Sequence, residues 1–359
     1  MERIGVAVIG YGLAGSVFHA PLVAATPGLE VRAIVTANPE RRQTAVRDFP
    51  AARIVASTDQ LWDDCADIGL VVVATPNHLH ASQSITALEH GLAAVVDKPM
   101  ALSTGEAGAM LAAAERTGGL LSVFQNRRWD TDFLLLREMV EGGRLGPVFR
   151  VESRFERFHP EVDPGSWREK TSAEGGGGLL MDLGSHLIDQ ARLLLGQPSG
   201  VYAEIAQVRP GADSDDDCFV ALSFPGGAHA HLWMSVLAPS IGPRWRVWGP
   251  RAALEVWGLD PQEAYIRAGG HPADPAYGQP DGSQRVVLTA AGEPGPGREV
   301  ALPAGRYGDF YAGMAAAIRG EAPVPVPAQA GWDALAVIEA ARRSVQTGSV
   351  VAPEAPARS

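Results

Sequence analysis

The stretch IGVAVIGYGLAG, Ile4 to Gly15, decides the fold. Ile4–Ile9 is a continuous apolar run, which a β-strand covered on both faces requires. It leads directly into three glycines, Gly10, Gly12 and Gly15, ahead of a helix-like segment. In that strand–turn–helix setting each glycine has its own task. Gly10 permits the tight turn, Gly12 lets backbone approach a pyrophosphate, and Gly15 lets helix and strand pack closely. Helix amides around Leu13 and Ala14 then face the phosphates. An ordinary glycine turn in some other α/β domain is the competing reading.

Outward from this turn, strand and helix patterns alternate. Strands are expected at Val31–Val35, Ile68–Ala74, Leu92–Val96 and Leu120–Phe124. Helices are expected at Glu40–Phe49 behind Pro39, at His80–His90 with Gly91 after it, and at Ser103–Thr117. Ser103 followed by Glu106 reads as a capping box. The alternation implies a parallel, doubly wound sheet of the Rossmann type over residues 1–124.

After Phe124 the pattern changes. A helix near Asp132–Gly142 precedes a strand at Val148–Phe155, and the glycine run Gly175–Gly178 leads into another helix. Strands with turns follow at Val201–Val208, Cys218–Phe224, Ala228–Val236 and Arg244–Trp248. Helices near Tyr307–Arg319 and Trp332–Thr347 finish the pattern. Residues 125–351 therefore read as an α+β domain with an open, mostly antiparallel sheet, for substrate binding and oligomerisation. The Pro/Ala-rich segment 352–359 reads as a disordered tail.

Composition narrows the partners. A net charge of −11 argues against nucleic acid and anionic membranes, though a local positive patch suffices for an anionic cofactor. Cys65 and Cys218 form no disulfide framework and fit a reducing cytoplasm. No signal peptide is visible before the first strand, and the apolar runs are too short to span a bilayer.

Two further elements carry chemistry. Lys98-Pro99, after Asp97, ends a buried strand at the carboxyl edge of the sheet, where ligands bind in open α/β folds. Thr75-Pro76-Asn77 ends the preceding strand at the same edge. A lysine there can hold a substrate oxygen and favour its alkoxide, although surface lysines at strand ends are common. Asp182 and His186 are spaced i, i+4 and share a helix face, with Asp189 along the same stripe. Gly184 between them would leave space for a ring. Histidine is the natural proton carrier near neutrality, and a carboxylate beside it can fix its tautomer. A polar helix flank with a satisfied histidine is the alternative.

Cofactor choice turns on the second strand. NAD-selective domains tend to end it with an acid for the ribose 2′-hydroxyl. Here Thr36-Ala37-Asn38 follows, then Arg41 and Arg42, which suits a 2′-phosphate and so NADP over NAD. A solvated pair of helix arginines is the competing reading. His78 and His80 lack a third ligand at metal-binding spacing, so no metal site is expected. Asp213 to Asp217 reads as a solvated acidic turn, and Trp233, Trp245 and Trp248 as sheet packing.

With GYGLAG, TPNHLH at Thr75–His80, DKP at Asp97–Pro99 and MDLGSHLID at Met181–Asp189, the chain resembles the glucose–fructose oxidoreductase/inositol dehydrogenase (Gfo/Idh/MocA) family. GSVFHAPL at Gly15–Leu22, NRRWDTDF at Asn126–Phe133 and RFHPEVDPGSWRE at Arg157–Glu169 are similar to its NADP-dependent scyllo-inositol dehydrogenase-like branch. The resemblance implies Lys98, Asp182 and His186 as the catalytic trio, with Asp182 orienting His186. It places Thr75, Pro76, Asn77 and His80 near the nicotinamide and its ribose. It places Arg127, Trp129, Arg157 and Trp167 with His186 at the substrate. It also implies a cis Lys98-Pro99 peptide, and a homodimer or homotetramer built through the second sheet. Asp97 stands where Glu is usual, and His159 where that branch has Arg.

The expected activity is NADP(H)-dependent interconversion of a secondary alcohol and a ketone on a cyclic polyol or sugar. The alternatives are a glycosidase acting by transient oxidation and elimination, and a non-catalytic sugar or cofactor sensor.

Overall fold

The computed structural model describes residues 3–163, 170–293 and 295–355. Its first sheet is six parallel strands: β1 (Ile4–Ile9), β2 (Leu29–Val35), β3 (Arg53–Val55), β4 (Leu70–Val73), β5 (Ala93–Asp97) and β6 (Leu121–Phe124). They lie in the order β3-β2-β1-β4-β5-β6. Chain order reverses between β1 and β4, which places a ligand crevice at the carboxyl ends of those strands. Val71, Val72 and Val73 are fully buried, as helices on both faces demand.

Local chemistry sets the helix starts. Ser103 accepts the Glu106 backbone N–H at 3.2 Å, while the Glu106 carboxylate accepts from Leu102 N at 3.0 Å. This is the capping box, displaced by one residue on its return arm. Gly91, with φ +75°, ends the helix His80–Glu89 as expected. The strand β3 and the helix Thr58–Trp62 were not anticipated. At three half-buried residues, β3 is too short for its periodicity to register.

The second sheet has eight strands. These are β7 (Arg150–Glu156), β8 (Gly200–Ala206), β9 (Asp217–Ser223), β10 (His229–Ser235), β11 (Trp245–Trp248), β12 (Ala252–Trp257), β13 (Arg285–Ala290) and β14 (Arg298–Glu299). The order is β14-β13-β12-β11-β7-β10-β9-β8, and only β7 and β10 pair in parallel. Alternation along each strand buries Val151, Phe155, Leu232, Met234 and Val247 on the helix-covered face. Trp245 is fully buried, and its indole donates to Asp132 Oδ2 at 3.0 Å.

The two sheets are locked together. Ser122 on β6 donates to Val326 O at 2.7 Å, and the final helix, Ala328–Thr347, packs on both β6 and β8. Glu339 on that helix accepts from both the amide (2.7 Å) and hydroxyl (2.9 Å) of Thr104. Past the helix, Val351 forms a bridge with Val201 and Glu354 pairs with Arg343, so 352–355 is irregular chain with an anchor. The last four residues of the expected tail lie outside the described residues. Among the described residues no helix is long and apolar enough to cross a membrane.

Candidate active site

A cavity of about 250 Å³ lies where the two sheets meet. Its wall combines Leu13 and Ala14 of the glycine turn, Lys98 of the β5 edge, Asn126 and Arg127 after β6, and Asp182, Leu183 and His186 of one helix. Sequence positions from 13 to 267 thus converge on a single space.

The turn is built as its glycines require. Gly10 has φ +97°, and a Cβ there would sit 2.4 Å from Ala74 O. A Cβ on Gly15 would lie 2.0 Å from Gly10 O, so that glycine serves the close packing of helix on strand. Gly12 is different. A Cβ there would meet only the Arg41 guanidinium, at 3.5 Å. Asn38 accepts the Arg41 backbone N–H at 3.0 Å, capping the helix Pro39–Asp48 and so setting the root of that side chain. Arg41 and Arg42 make no ion pair among the described residues. An open glycine backbone with a guanidinium over it suits a phosphate-bearing dinucleotide. Thr36 is buried at the end of β2, with its amide on Val55 O at 2.9 Å.

The β4 and β5 edges are pinned to one another. The Lys98-Pro99 peptide is cis. His80 is buried, with Nδ1 2.9 Å from Pro99 O and Nε2 2.9 Å from Thr75 O. It therefore buttresses the two strand ends and does not line the cavity. Burial pushes its pKa below the ordinary imidazole value, against the pull of Asp97 and the two carbonyls. Thr75 donates its hydroxyl to Gln83, and Asn77 reaches across to Gly176 O at 3.0 Å. Asp97 accepts the Lys98 amide at 2.8 Å and lies 3.8 Å from the buried His19 ring.

Lys98 Nζ donates to both Asp182 Oδ1 and Asp182 O, each at 2.6 Å. The helical segment that carries Asp182, Leu180–Gly184, is wound as a wide π-turn before it continues as Ser185–Leu195. Asp215 caps its start, accepting from Leu180 N at 2.8 Å. Asp216 is buried and holds Arg209, as well as the amides of Val208 and Arg209. The acidic turn is solvated only at its ends, Asp213 and Asp217; between them Ser214 and Asp215 face the cavity and Asp216 is buried. Local spacing could not reveal this, because Asp215 reaches Leu180 N across 35 positions and Asp216 folds back on Val208 and Arg209.

His186 is 4% exposed, and its Nδ1 sits 3.1 Å from Gln125 Oε1. Burial holds its pKa well below the ordinary imidazole value, and the charges of Lys98, Arg127 and Arg244 push the same way. Two expectations change here. The ring's hydrogen-bond partner is Gln125, and Asp182 is committed to Lys98. Gly184 opens no space for a ring in the cavity: a Cβ there would point at Leu180 and Met234 in the core. Asp189, on the same stripe, faces away into a bidentate pair with Arg128 at 2.6 and 2.8 Å.

Arg127 and Arg157 line the cavity as expected, and Arg127 donates to Glu263 at 3.1 Å. Glu263 also holds Arg267, and the short helix that carries both, Gln262–Arg267, was not foreseen. Trp129 does not reach the cavity; its ring packs edge-on against Phe310 with centroids 5.8 Å apart. Trp167 lies outside the described residues. His159 points outward, and its carbonyl accepts from Arg209 at 3.2 Å. Among the described residues no cluster of three or more His, Cys, Asp or Glu could hold a metal ion.

Residues 4–125 match a model described as an oxidoreductase family with an NAD-binding Rossmann fold, and residues 133–255 match the GFO/IDH/MocA C-terminal domain. The chain belongs to the Gfo/Idh/MocA oxidoreductase family. Among relatives in this family, the uncharacterized oxidoreductase YdgJ of Escherichia coli is 38% identical, covering 94% of this chain and 95% of the relative. The scyllo-inositol 2-dehydrogenase (NADP(+)) IolW of Bacillus subtilis is 34% identical, covering 96% and 94%. The solved structure of yvaA from Bacillus subtilis matches with a TM-score of 0.91 at 33% identity, covering 98% of this chain and 99% of that one.

Proposed function

We propose that this oxidoreductase interconverts a secondary alcohol and a ketone on a cyclic polyol or sugar, with NADP(H) preferred over NAD(H). One observation carries the reading. Lys98, Asp182 and His186 meet in a single cavity that Leu13 and Ala14 of the glycine turn also line. The relative named as an NADP-dependent scyllo-inositol dehydrogenase supports the substrate class and the cofactor.

Gly12, Leu13 and Ala14 would hold the pyrophosphate on the turn that Gly10 and Gly15 shape, and Arg41 the 2′-phosphate. When bound, the nicotinamide supplies the two-electron acceptor for the hydrogen on the carbinol carbon. The protein handles the proton and the oxygen. Lys98 donates to the substrate oxygen and stabilises negative charge as the O–H bond breaks. His186 accepts that proton at Nε2, and the C–O single bond becomes the carbonyl. Asp182 holds the Lys98 ammonium in place. In reduction, His186 returns the proton and the same contacts act in reverse order.

Arg127, Arg157 and Glu263 bring donors and acceptors to the cavity wall, the lining that ring hydroxyls require. The outer face of the second sheet carries Phe219, His231, Trp233 and Trp248, with Arg154 stacked on Trp233 at 3.9 Å and Arg150 on Trp248 at 4.1 Å. A second copy covering this face, as a homodimer or homotetramer, is part of the reading. The test of function is a polyol and sugar panel followed by NADPH absorbance, with scyllo-inositol and myo-inositol included. Turnover of a polyol with matching NADPH formation supports it; cofactor binding without turnover of any member counts against it.

A further inference from the structure

We propose that Gln125 is the positioning residue that fixes the His186 tautomer, leaving Nε2 as the proton acceptor in the cavity. The inference rests on the reading of His186 as the proton-transfer group and names what sets its state. Gln125 is 2% exposed and follows β6 directly, so the strand end anchors its root. Its amide has two neighbours. Oε1 lies 3.1 Å from His186 Nδ1, and Nε2 lies 3.5 Å from Ser185 O. A carbonyl oxygen can only accept, so the amide nitrogen belongs on the Ser185 side, and the nearer contact requires a proton on His186 Nδ1. Nε2 is then unprotonated, and it has no partner among the described residues.

The surroundings keep the ring neutral. Three cations act on it: Lys98 from the end of β5, Arg127 from the turn after β6, and Arg244 just before β11. Asp182, one turn earlier on the same helical segment, pairs with Lys98. A neutral amide partner orients the ring without adding charge. A carboxylate in its place would stabilise the imidazolium and hold the proton on the ring. The choice of Gln at position 125 therefore separates orientation from basicity.

The decisive experiment is nitrogen-15 NMR of the imidazoles in the whole, cofactor-free protein, with His186→Ala used to assign the signal. Wild type should show His186 as the Nδ1–H tautomer. Gln125→Met should shift it toward the Nε2–H form and lower kcat by about tenfold or more with little change in KM. Gln125→Glu keeps the shape and an acceptor, and should raise the His186 titration midpoint and move the acid limb of the pH–rate profile upward with it. An Nε2–H tautomer in wild type would overturn the inference, with no variant needed. So would an unmoved midpoint in a folded Gln125→Glu protein. If the tautomer is as proposed but His186→Ala turns over normally, the role of His186 in proton transfer fails while its link to Gln125 stands.

Discussion

Lys98 Nζ bridges from the edge of the first sheet to the helix over the second, donating at 2.6 Å to both the side chain and the backbone carbonyl of Asp182. The contact joins the two halves at the point where the chemistry is proposed. It fixes an ammonium between a helix turn and the cavity, with one face left for a substrate oxygen.

That geometry makes the lysine hard to replace. Lys98→Ala should lower kcat by about 10²–10³-fold, the range for loss of one preorganised charged donor. Lys98→Arg should not restore it, because a planar guanidinium cannot donate to Asp182 O and Oδ1 from one compact nitrogen. Steady-state kinetics of both variants checks this, and recovery of most activity in Lys98→Arg would contradict it.

The pH dependence follows from His186. Its pKa is depressed by burial and by nearby cations, so the free-base form persists well below pH 6.5. Oxidation should thus be flat through neutrality and fall only in acid. This displaces the near-neutral limb that an ordinary histidine implies. The same shift governs stability. Below 6.5 the unfolded chain takes up a proton that the folded protein refuses, so stability falls as pH drops toward the folded pKa, by about 1.4 kcal/mol per pH unit within that window. Urea melts of wild type and His186→Ala across about pH 5 to about pH 7.5 should show the shallower slope in the variant.

Two glycines of the turn should separate binding from folding. Gly12→Ala places a methyl 3.5 Å from a mobile guanidinium and should fold, yet bind both NADP and NAD more weakly. Gly15→Ala drives a methyl to 2.0 Å from Gly10 O and should destabilise the protein itself. Arg41→Ala should weaken NADP by about tenfold, the scale of one charge-assisted contact, and NAD far less. Calorimetric titration reads the two binding variants, and a urea melt reads Gly15→Ala. Equal losses for the two cofactors in Arg41→Ala would remove the case for a 2′-phosphate contact.

The first sheet was legible except for β3 because strands such as β1, β4 and β5 are apolar runs bounded by glycine and proline, and Ile4–Ile9 is matched to the residue. Lys98, Asp182 and His186, which line one cavity, each lie in a local motif, and such motifs report only their own segment. What tied them together was not legible. Gln125, Glu263 and Asp215 act across 61, 136 and 35 positions of sequence to His186, Arg127 and Leu180. No periodicity records such a pairing. Trp129 misled for the converse reason: its neighbour Arg127 reaches the cavity, but the tight turn Asn126–Trp129 aims the indole at Phe310.

The second sheet yields a prediction about assembly. Trp233 and Trp248 stand half-buried on its outer face beneath Arg154 and Arg150. Light scattering at micromolar protein should give a dimer or tetramer, and Trp233→Glu should dissociate it. A wild-type monomer would rule out this use of the face.

The most direct test of the central claim compares wild type with His186→Ala on the best polyol or sugar from the panel, by NADPH absorbance at saturating NADP. Wild type should form one NADPH per ketone, and the variant should lose about 10²–10⁴-fold in kcat with cofactor affinity nearly unchanged. Near-normal turnover by folded His186→Ala, or product formed without net NADPH, would contradict it.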